Sequence, residues 1–325
     1  MKLKLPQKLF LISSMFLFLG FQIQGQTLNE AIDAYNTGIG LIDDDIKAAI
    51  ESLEKSWEIA SQLGEEGEDL KEQAEIQIPG LYYDMAMNFY RERNIDQAVE
   101  GFEQTLEASD EFDDPGTKQR AENVLHQLYA IQANANFREN NNDEALRLFE
   151  KALEINPQHA RSHLGKGLVY RRLEDAENFK EAMNSAIEAG LTTGEDNIVE
   201  TAESTARDFF LVRAVRSKSE GSHTQAIDFL NSSLAYDETF PETHFLLASI
   251  YNEQSRYEDA VNSARRAIDF SNGGPEDTAK MYFQLGEAYA GLGNTSEACD
   301  AFKQAAYGSY EASAKYQIEH VLKCE

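Results

Sequence analysis

The sequence predicts an all-α protein in which about seven helix pairs stack one on the next. Three observations predict it. Proline is scarce, 6 in 325 residues, and glycine is unremarkable at 20, a balance that suits helices over turn-rich β structure. A small residue is repeatedly followed twelve positions later by an alanine, the mark of an internal repeat. Polar residues of the kind that cap helices fall between the two members of several pairs. With 42% hydrophobic residues the chain can fill a core, either as two or three compact domains or as one elongated array.

The spacing is clearest near the C-terminus. Tyr282, Leu285, Gly286, Tyr289, Ala298, Phe302 and Ala305 recur upstream as His244, Leu247, Ala248, Tyr251, Ala260, Ala264 and Ala267. Tyr129, Ala133, Ala145, Phe149, Ala152 and Pro157 give a third copy. Along the whole chain the pairs of small residue and alanine are Thr37/Ala49, Ala86/Ala98, Ala133/Ala145, Gly167/Ala182, Ala214/Ala226, Ala248/Ala260 and Gly286/Ala298. Six are twelve apart, and Gly167/Ala182 is three longer, which predicts an extended turn near 174–178. A further small residue follows in each copy: Ser56, Thr105, Ala152, Ala189, Ser233, Ala267 and Ala305. Small side chains at fixed positions let neighbouring helices approach, while larger ones fill the gaps around them.

These residues resemble the tetratricopeptide repeat, a 34-residue helix-turn-helix. The resemblance implies a right-handed α-solenoid, with repeats near 30–63, 79–112, 126–159, 160–196, 207–240, 241–274 and 279–312. The first copy is degenerate, as terminal repeats often are, with Thr37 and Gly40 at the expected small and aromatic positions. Extra residues at 64–78, 113–125 and 197–206 read as longer helices and acidic turns. Pro79 is expected to start or kink the first helix of the second repeat. Asn94, Asn140 to Asp143 and Gly293 to Ser296 supply the turns, while Pro157, Pro241 and Pro275 separate repeats. Residues 313–323 read as a capping helix whose Ala314, Ile318, Val321 and Leu322 cover the open end.

Residues 1–25 have the pattern of a secretory signal peptide. Lys2, Lys4 and Lys8 precede an apolar run from Leu9 to Phe21, too short to span a bilayer, and Gly25 offers a cleavage site that leaves 26–325 as the repeat array. The Gly25-Gln26 junction resembles those of exported proteins of Bacteroidetes-type bacteria, which implies a periplasmic or extracellular location. The formal net charge of −28 argues against nucleic-acid partners, since such a chain repels phosphate backbones. It serves solubility, or attraction to a basic partner.

No phosphate loop, zincin motif, nucleophile elbow or dinucleotide fingerprint is present. Gly38-Ile39-Gly40 and Gly165-Lys166-Gly167 are glycine pairs without the rest of such a motif. His159 and His163 have a metal-ligand spacing but occupy turn and packing positions of the repeat. Asp43 to Asp45 and Asp113-Asp114 lack calcium-loop spacing and read as helix-start acids. The expectation is a non-catalytic protein without cofactor or metal. Cys299 and Cys324 fall toward one end of antiparallel helices, so they either form a disulfide in an oxidising compartment or remain as a buried and an exposed thiol.

The resemblance further implies a concave groove lined by the first helices of the repeats. Carried over, its positions include Tyr83 and Tyr90, then Asn134 and Arg138, then Arg161, Leu168, Arg171 and Arg172. Leu211, Val215 and Lys218, then Phe245, Ser249 and Asn252, then Phe283 and Glu287 follow further along. The arginines stand out in an acidic chain. With the aromatics beside them they fit an extended peptide bearing an acidic group; alternatively they pair with neighbouring acidic helices. The lysine and asparagine clamp of chaperone-binding relatives is matched only at Asn134, with Gly165 at the equivalent place in the next repeat. The expected role is a protein-interaction scaffold, with a glycan-binding or nutrient-uptake component or an enzyme accessory as the alternative.

Overall fold

The structure, a computed structural model, describes residues 27–325. The signal-peptide reading of 1–25 therefore lies outside the described residues. Fifteen α-helices follow in order among the described residues, with no strand. Seven pairs are α1 (Leu28–Leu41) with α2 (Ile46–Gln62), α3 (Glu68–Arg91) with α4 (Ile95–Glu111), α5 (Pro115–Arg138) with α6 (Asn142–Ile155), α7 (Ala160–Arg172) with α8 (Ala176–Thr193), α9 (Asp196–Ser219) with α10 (His223–Leu234), α11 (Pro241–Glu253) with α12 (Tyr257–Phe270), and α13 (Pro275–Gly291) with α14 (Thr295–Ala305). The last helix is α15 (Glu311–Tyr316), continued by a π-turn over Gln317–Val321. The chain divides into two compact units, one ending at Asn123 and the other running from Val124 to Glu325. Each is an α-solenoid segment built from helix pairs.

The alanine rule has a direct structural meaning. The fourth residue of every second helix is fully buried: Ala49, Ala98, Ala145, Phe179, Ala226, Ala260 and Ala298. This is one turn into the helix, where it crosses its partner, and a small side chain there sets a short interaxial distance. Six of the seven pairs are closed by three-residue turns whose middle residue has a left-handed backbone: Arg93, Asn140, Glu174, Gly221, Ser255 and Gly293. With the turn length fixed, the spacing between the helices is fixed as well.

Two expectations are corrected by this geometry. The turn after α7 is not extended; it is Leu173 to Asp175, as long as the others, and Asp175 caps α8 by accepting from the Asn178 amide at 3.1 Å. The normal register places Phe179, not Ala182, one turn into α8, with Met183 and Ala186 following, all fully buried. Gly167 makes room for Met183, since a Cβ there would sit 2.4 Å from the Met183 methyl. In the first pair the turn has four residues, which rotates α1. Thr37 is exposed and donates to its own helix at Asp33, while Gly38 is buried against Ala49 and Leu53. The spacing of twelve thus holds in six pairs, but the exception is the first and not the fourth.

In the first unit Leu53, Ile50, Ile78 and Leu81 form the core, with Trp57 and Tyr82 partly buried against it. Trp57 donates to Glu75 at 2.9 Å and Tyr82 to Glu54 at 2.6 Å, so both polar ends are satisfied. Pro79 does not start its helix. It lies buried in the interior of α3, which begins eleven residues earlier at Glu68. The extra residues at 64–78, 113–125 and 197–206 largely become N-terminal turns of α3, α5 and α9, each 24 residues long. Those turns bury Ala74, Ile78, Ala121, Ala202 and Ala206 completely, and this burial holds them helical.

In the second unit the cores run from Phe179, Met183 and Phe210, through Leu230 and Ile250, to Phe302 and Leu285. The end of the chain covers the last of these with Ala314, Ile318 and Leu322, whereas Val321, expected with them, is exposed. A disulfide joins Cys299 on α14 to Cys324, with Cα atoms 5.8 Å apart.

Candidate functional site

The residues expected to line a groove fall in both units. In the first, Tyr83 is half-buried, packs edge-on against Phe102 and lies under the Arg120 guanidinium at 4.5 Å. Tyr90, near the end of α3, is exposed.

In the second unit the arginines divide by partner. Arg172 lies on the Phe137 ring, 3.6 Å from its centroid, and donates to the Phe137 carbonyl and to Asn142. It ties the end of α7 to the end of α5. Arg161 pairs with Glu195 at 3.3 Å. Asn134 is exposed and donates to Ala130 of its own helix at 2.8 Å. Leu168 is partly buried against the Phe179 cluster. Arg138 is exposed at the end of α5. Arg171 lines a cleft, and no hydrogen bond or ion pair holds it among the described residues.

That cleft has a volume of about 620 Å³ and lies between the end of α7, the face of α9 and the start of α10. Its body is Phe209, Val212, Arg213, Arg216 and Phe229 together with Arg171. Arg213 is fixed by its surroundings. It donates to the Glu174 carbonyl at 2.9 Å, and its guanidinium lies 4.9 Å and 5.7 Å from the Phe209 and Phe229 rings. The strained Glu174 turn and the α9 face are thereby held together. Arg216 is exposed and shared between Glu220 at 3.2 Å and Glu174 at 4.0 Å, an arrangement a stronger anion can displace. Val212 is 68% exposed, an apolar side chain left at the mouth. The lining also includes the carboxylates of Glu174, Asp208 and Glu220, so the cleft sets three guanidiniums among three acids beside aromatic and aliphatic surface. Arg171 is the guanidinium without an acid partner among the described residues, free to take a carboxylate next to an apolar group.

Sequence positions alone pointed to Arg171 here, and on α9 to Leu211, Val215 and Lys218 in place of the residues that line the cleft. Phe209, Val212, Arg213 and Arg216 recur at three- and four-residue steps, which is one helix face. That stripe was available as a signal, but only the packing of α9 against α7 joins it to Arg171.

The histidines serve packing. The His126 and His159 rings meet edge-on, 4.9 Å apart, and His163 contacts the Pro157 carbonyl at 2.9 Å. Burial, with His126 beside it, pushes His159 down to about 4. No group of three or more metal-ligating side chains occurs among the described residues. No described helix is long and apolar enough to cross a membrane.

The family model of the tetratricopeptide repeat matches residues 132–191 and 245–314, so those two stretches are similar to tetratricopeptide repeats. Both matches lie in the second unit. No curated protein matches the chain. Among solved structures, the MamA protein aligns over 60% of this chain and 95% of its own, at 16% identity and a TM-score of 0.34. YrrB, a TPR protein with an unusual peptide-binding site, aligns over 69% and 96%, at 20% identity and 0.32. A tetratricopeptide repeat protein from Parabacteroides merdae aligns over 91% and 100%, at 14% identity and 0.32. These are likenesses of helix-pair architecture and extend no further.

Proposed function

We propose that this protein is a non-catalytic interaction scaffold, exported from the cytoplasm, that holds a peptide segment of a partner protein. The observation that carries the reading is the cleft around Arg171. It presents an uncommitted guanidinium beside exposed Val212, on a solenoid segment whose other arginines mostly serve the fold. Repeat stacking supplies extended surface without requiring a catalytic centre. The segment best suited to the cleft carries an aspartate or glutamate next to an aliphatic or aromatic side chain. Export is supported by the basic and apolar pattern of residues 1–25, and a periplasmic or extracellular location follows from it.

A peptide array tests this. Decapeptides with an acidic residue flanked by apolar ones are presented to residues 27–325 and to the Arg171→Glu and Val212→Asp variants. Retention of the acidic-apolar set by the parent protein, with loss in both variants and none in Lys55→Glu, is expected. An identical set retained by all four proteins refutes the cleft as the binding site.

A further inference from the structure

A second cleft lies further along the second unit, with a volume of about 440 Å³. It is lined by Ser249 and Asn252 from α11, Gln284 and Glu287 from α13, and Gln317 from the end of the chain. Its chemistry is opposite to that of the first. A chain of amides crosses it. Asn252 donates through Nδ2 to the Gln284 carbonyl at 2.9 Å and to Gln284 Oε1 at 3.0 Å, and Gln284 donates to Glu287 at 2.9 Å. Every donor in this chain points at an acceptor, so the amide orientations are determined. One acceptor in the chain is left without a donor. The Oδ1 of Asn252 is buried and accepts no hydrogen bond, and a buried acceptor left unmade costs about 1–3 kcal/mol. Glu287 accepts from Gln284 and makes no ion pair among the described residues; Lys218 lies close enough to favour its charge but not to pair with it.

The cation that lies nearby is already committed. Lys218 of α9 donates to Ser249 at 2.7 Å and pairs with Glu253 at 2.9 Å. His223 of α10 also reaches Glu253, at 3.1 Å. Glu253 thus has two cationic partners, whereas Glu287 has a hydrogen bond from Gln284 and no ion pair. Burial, with Glu253 beside it, raises the pKa of Glu287, so its charge is carried at a cost that a cation in the cleft would remove.

We propose that this cleft binds the cationic side chain of an arginine or lysine from a protein partner, with the Glu287 carboxylate as counter-ion and the surrounding amide oxygens as further acceptors. The site goes beyond the Arg171 cleft and shares with it only the scaffold role. It also gives the strong negative charge of the chain a local use, since long-range attraction draws basic segments toward the surface on which Glu287 waits. Gln317 forms one wall, and the segment that carries it is anchored by the Cys299–Cys324 disulfide, so the cleft depends on that cap.

The test uses small probes and residues 27–325. Nα-acetyl-arginine methylamide and its lysine counterpart are titrated against ¹³C-carboxyl-labelled protein, with the neutral citrulline analogue as control. The Glu287 resonance is assigned by its loss in Glu287→Gln. Saturable shifts of that resonance with the arginine or lysine probe, at least tenfold weaker with citrulline, are expected; the ratio of the two cationic arms tells guanidinium from ammonium preference. Affinity, followed on the backbone amides of α11 and α13, falls at least tenfold in Glu287→Gln, whose circular dichroism is unchanged, and is kept in Arg171→Glu. It weakens as pH is lowered through the raised pKa of Glu287, with Glu253, Lys218 and Tyr257 as the titratable groups facing it. Equal response to citrulline, or undiminished binding by Glu287→Gln, or no shift at Glu287, overturns the proposal. Probe binding at Glu287 without retention of acidic peptides would leave this cleft standing and remove the first one.

Discussion

Gly165→Ala is the most informative single substitution in this protein. Gly165 lies within α7, and an ideal Cβ there falls 2.2 Å from Phe149 Cζ, 2.5 Å from Cε1 and 3.0 Å from Cε2. Ordinary contact begins near 3.4 Å, so the ring must retreat by more than 1 Å. It has nowhere to go, because Phe149 is fully buried between α6 and its neighbours. Overpacking of this kind costs about 1–3 kcal/mol and sometimes more. Against it stands a helix-propensity gain of about 1 kcal/mol for alanine over glycine. The upper part of the overpacking range applies here because the contact is with a ring edge that cannot rotate away, giving a net loss of about 2 kcal/mol. Urea unfolding followed by circular dichroism measures it as a lowered midpoint at unchanged slope. Phe149→Leu in the Gly165→Ala background removes the clashing ring atoms and recovers about 1 kcal/mol relative to additivity. The control is Gly80→Ala in α3, where nothing lies within 4 Å. There the propensity term acts alone, and the midpoint seen by Trp57 fluorescence rises by an amount equivalent to about 0.5–1 kcal/mol. A Gly165→Ala protein as stable as the parent, with a stabilised Gly80→Ala, refutes the close contact of Phe149 with the α7 backbone.

Arg93, Glu174 and Ser255 hold the left-handed position that Gly221 and Gly293 hold in other turns. Replacing Arg93 or Ser255 by glycine relieves about 1 kcal/mol of backbone strain, less the greater entropy of the unfolded glycine, and a small rise in melting temperature is expected. Reducing the Cys299–Cys324 disulfide, or making Cys299→Ala with Cys324→Ala, opens a loop with a sequence separation of 25 and removes about 3.5 kcal/mol by loop entropy. Hydrogen exchange at 311–322 should accelerate well before that of α13, and equal protection in both forms would deny the cap its dependence on the bond. His159 is depressed to about 4 when folded, against an ordinary value of 6.5, so the unfolded chain binds the proton more readily. Its contribution is complete above pH 6.5 and declines as pH falls toward 4. The slope of urea midpoint against pH across that window should be shallower in His159→Gln, whereas an unchanged slope places the titration elsewhere.

Much of the fold was legible because its determinants are local. A three-residue turn and a helical rise of 1.5 Å per residue leave one place for a small side chain to meet the facing helix. The alanines at 98, 145, 226, 260 and 298 therefore announce the helix pairs. Where local rules gave way, packing had overruled them. Phe179 occupies an alanine position and is buried against the Phe209 and Phe210 rings of α9. Pro79 could remain inside α3 because the surrounding turns bury Ala74, Ile78 and Leu81. The glycines at 165 and 167 looked like fragments of a motif and proved to be seats for Phe149 and Met183.

The sequence by itself determined the helix pairs, their number and the charge of the chain, since these follow from residue spacing and composition. Only the tertiary structure decided which polar side chains are spoken for. Arg172 was bound to Phe137, Arg171 was left facing the α9 stripe, and Lys218 was paired with Glu253 while Glu287 was left without an ion pair. The reason is geometric. A long side chain reaches whatever helix lies opposite it, and that helix can stand more than thirty residues away in the chain, as Arg172 and Phe137 do.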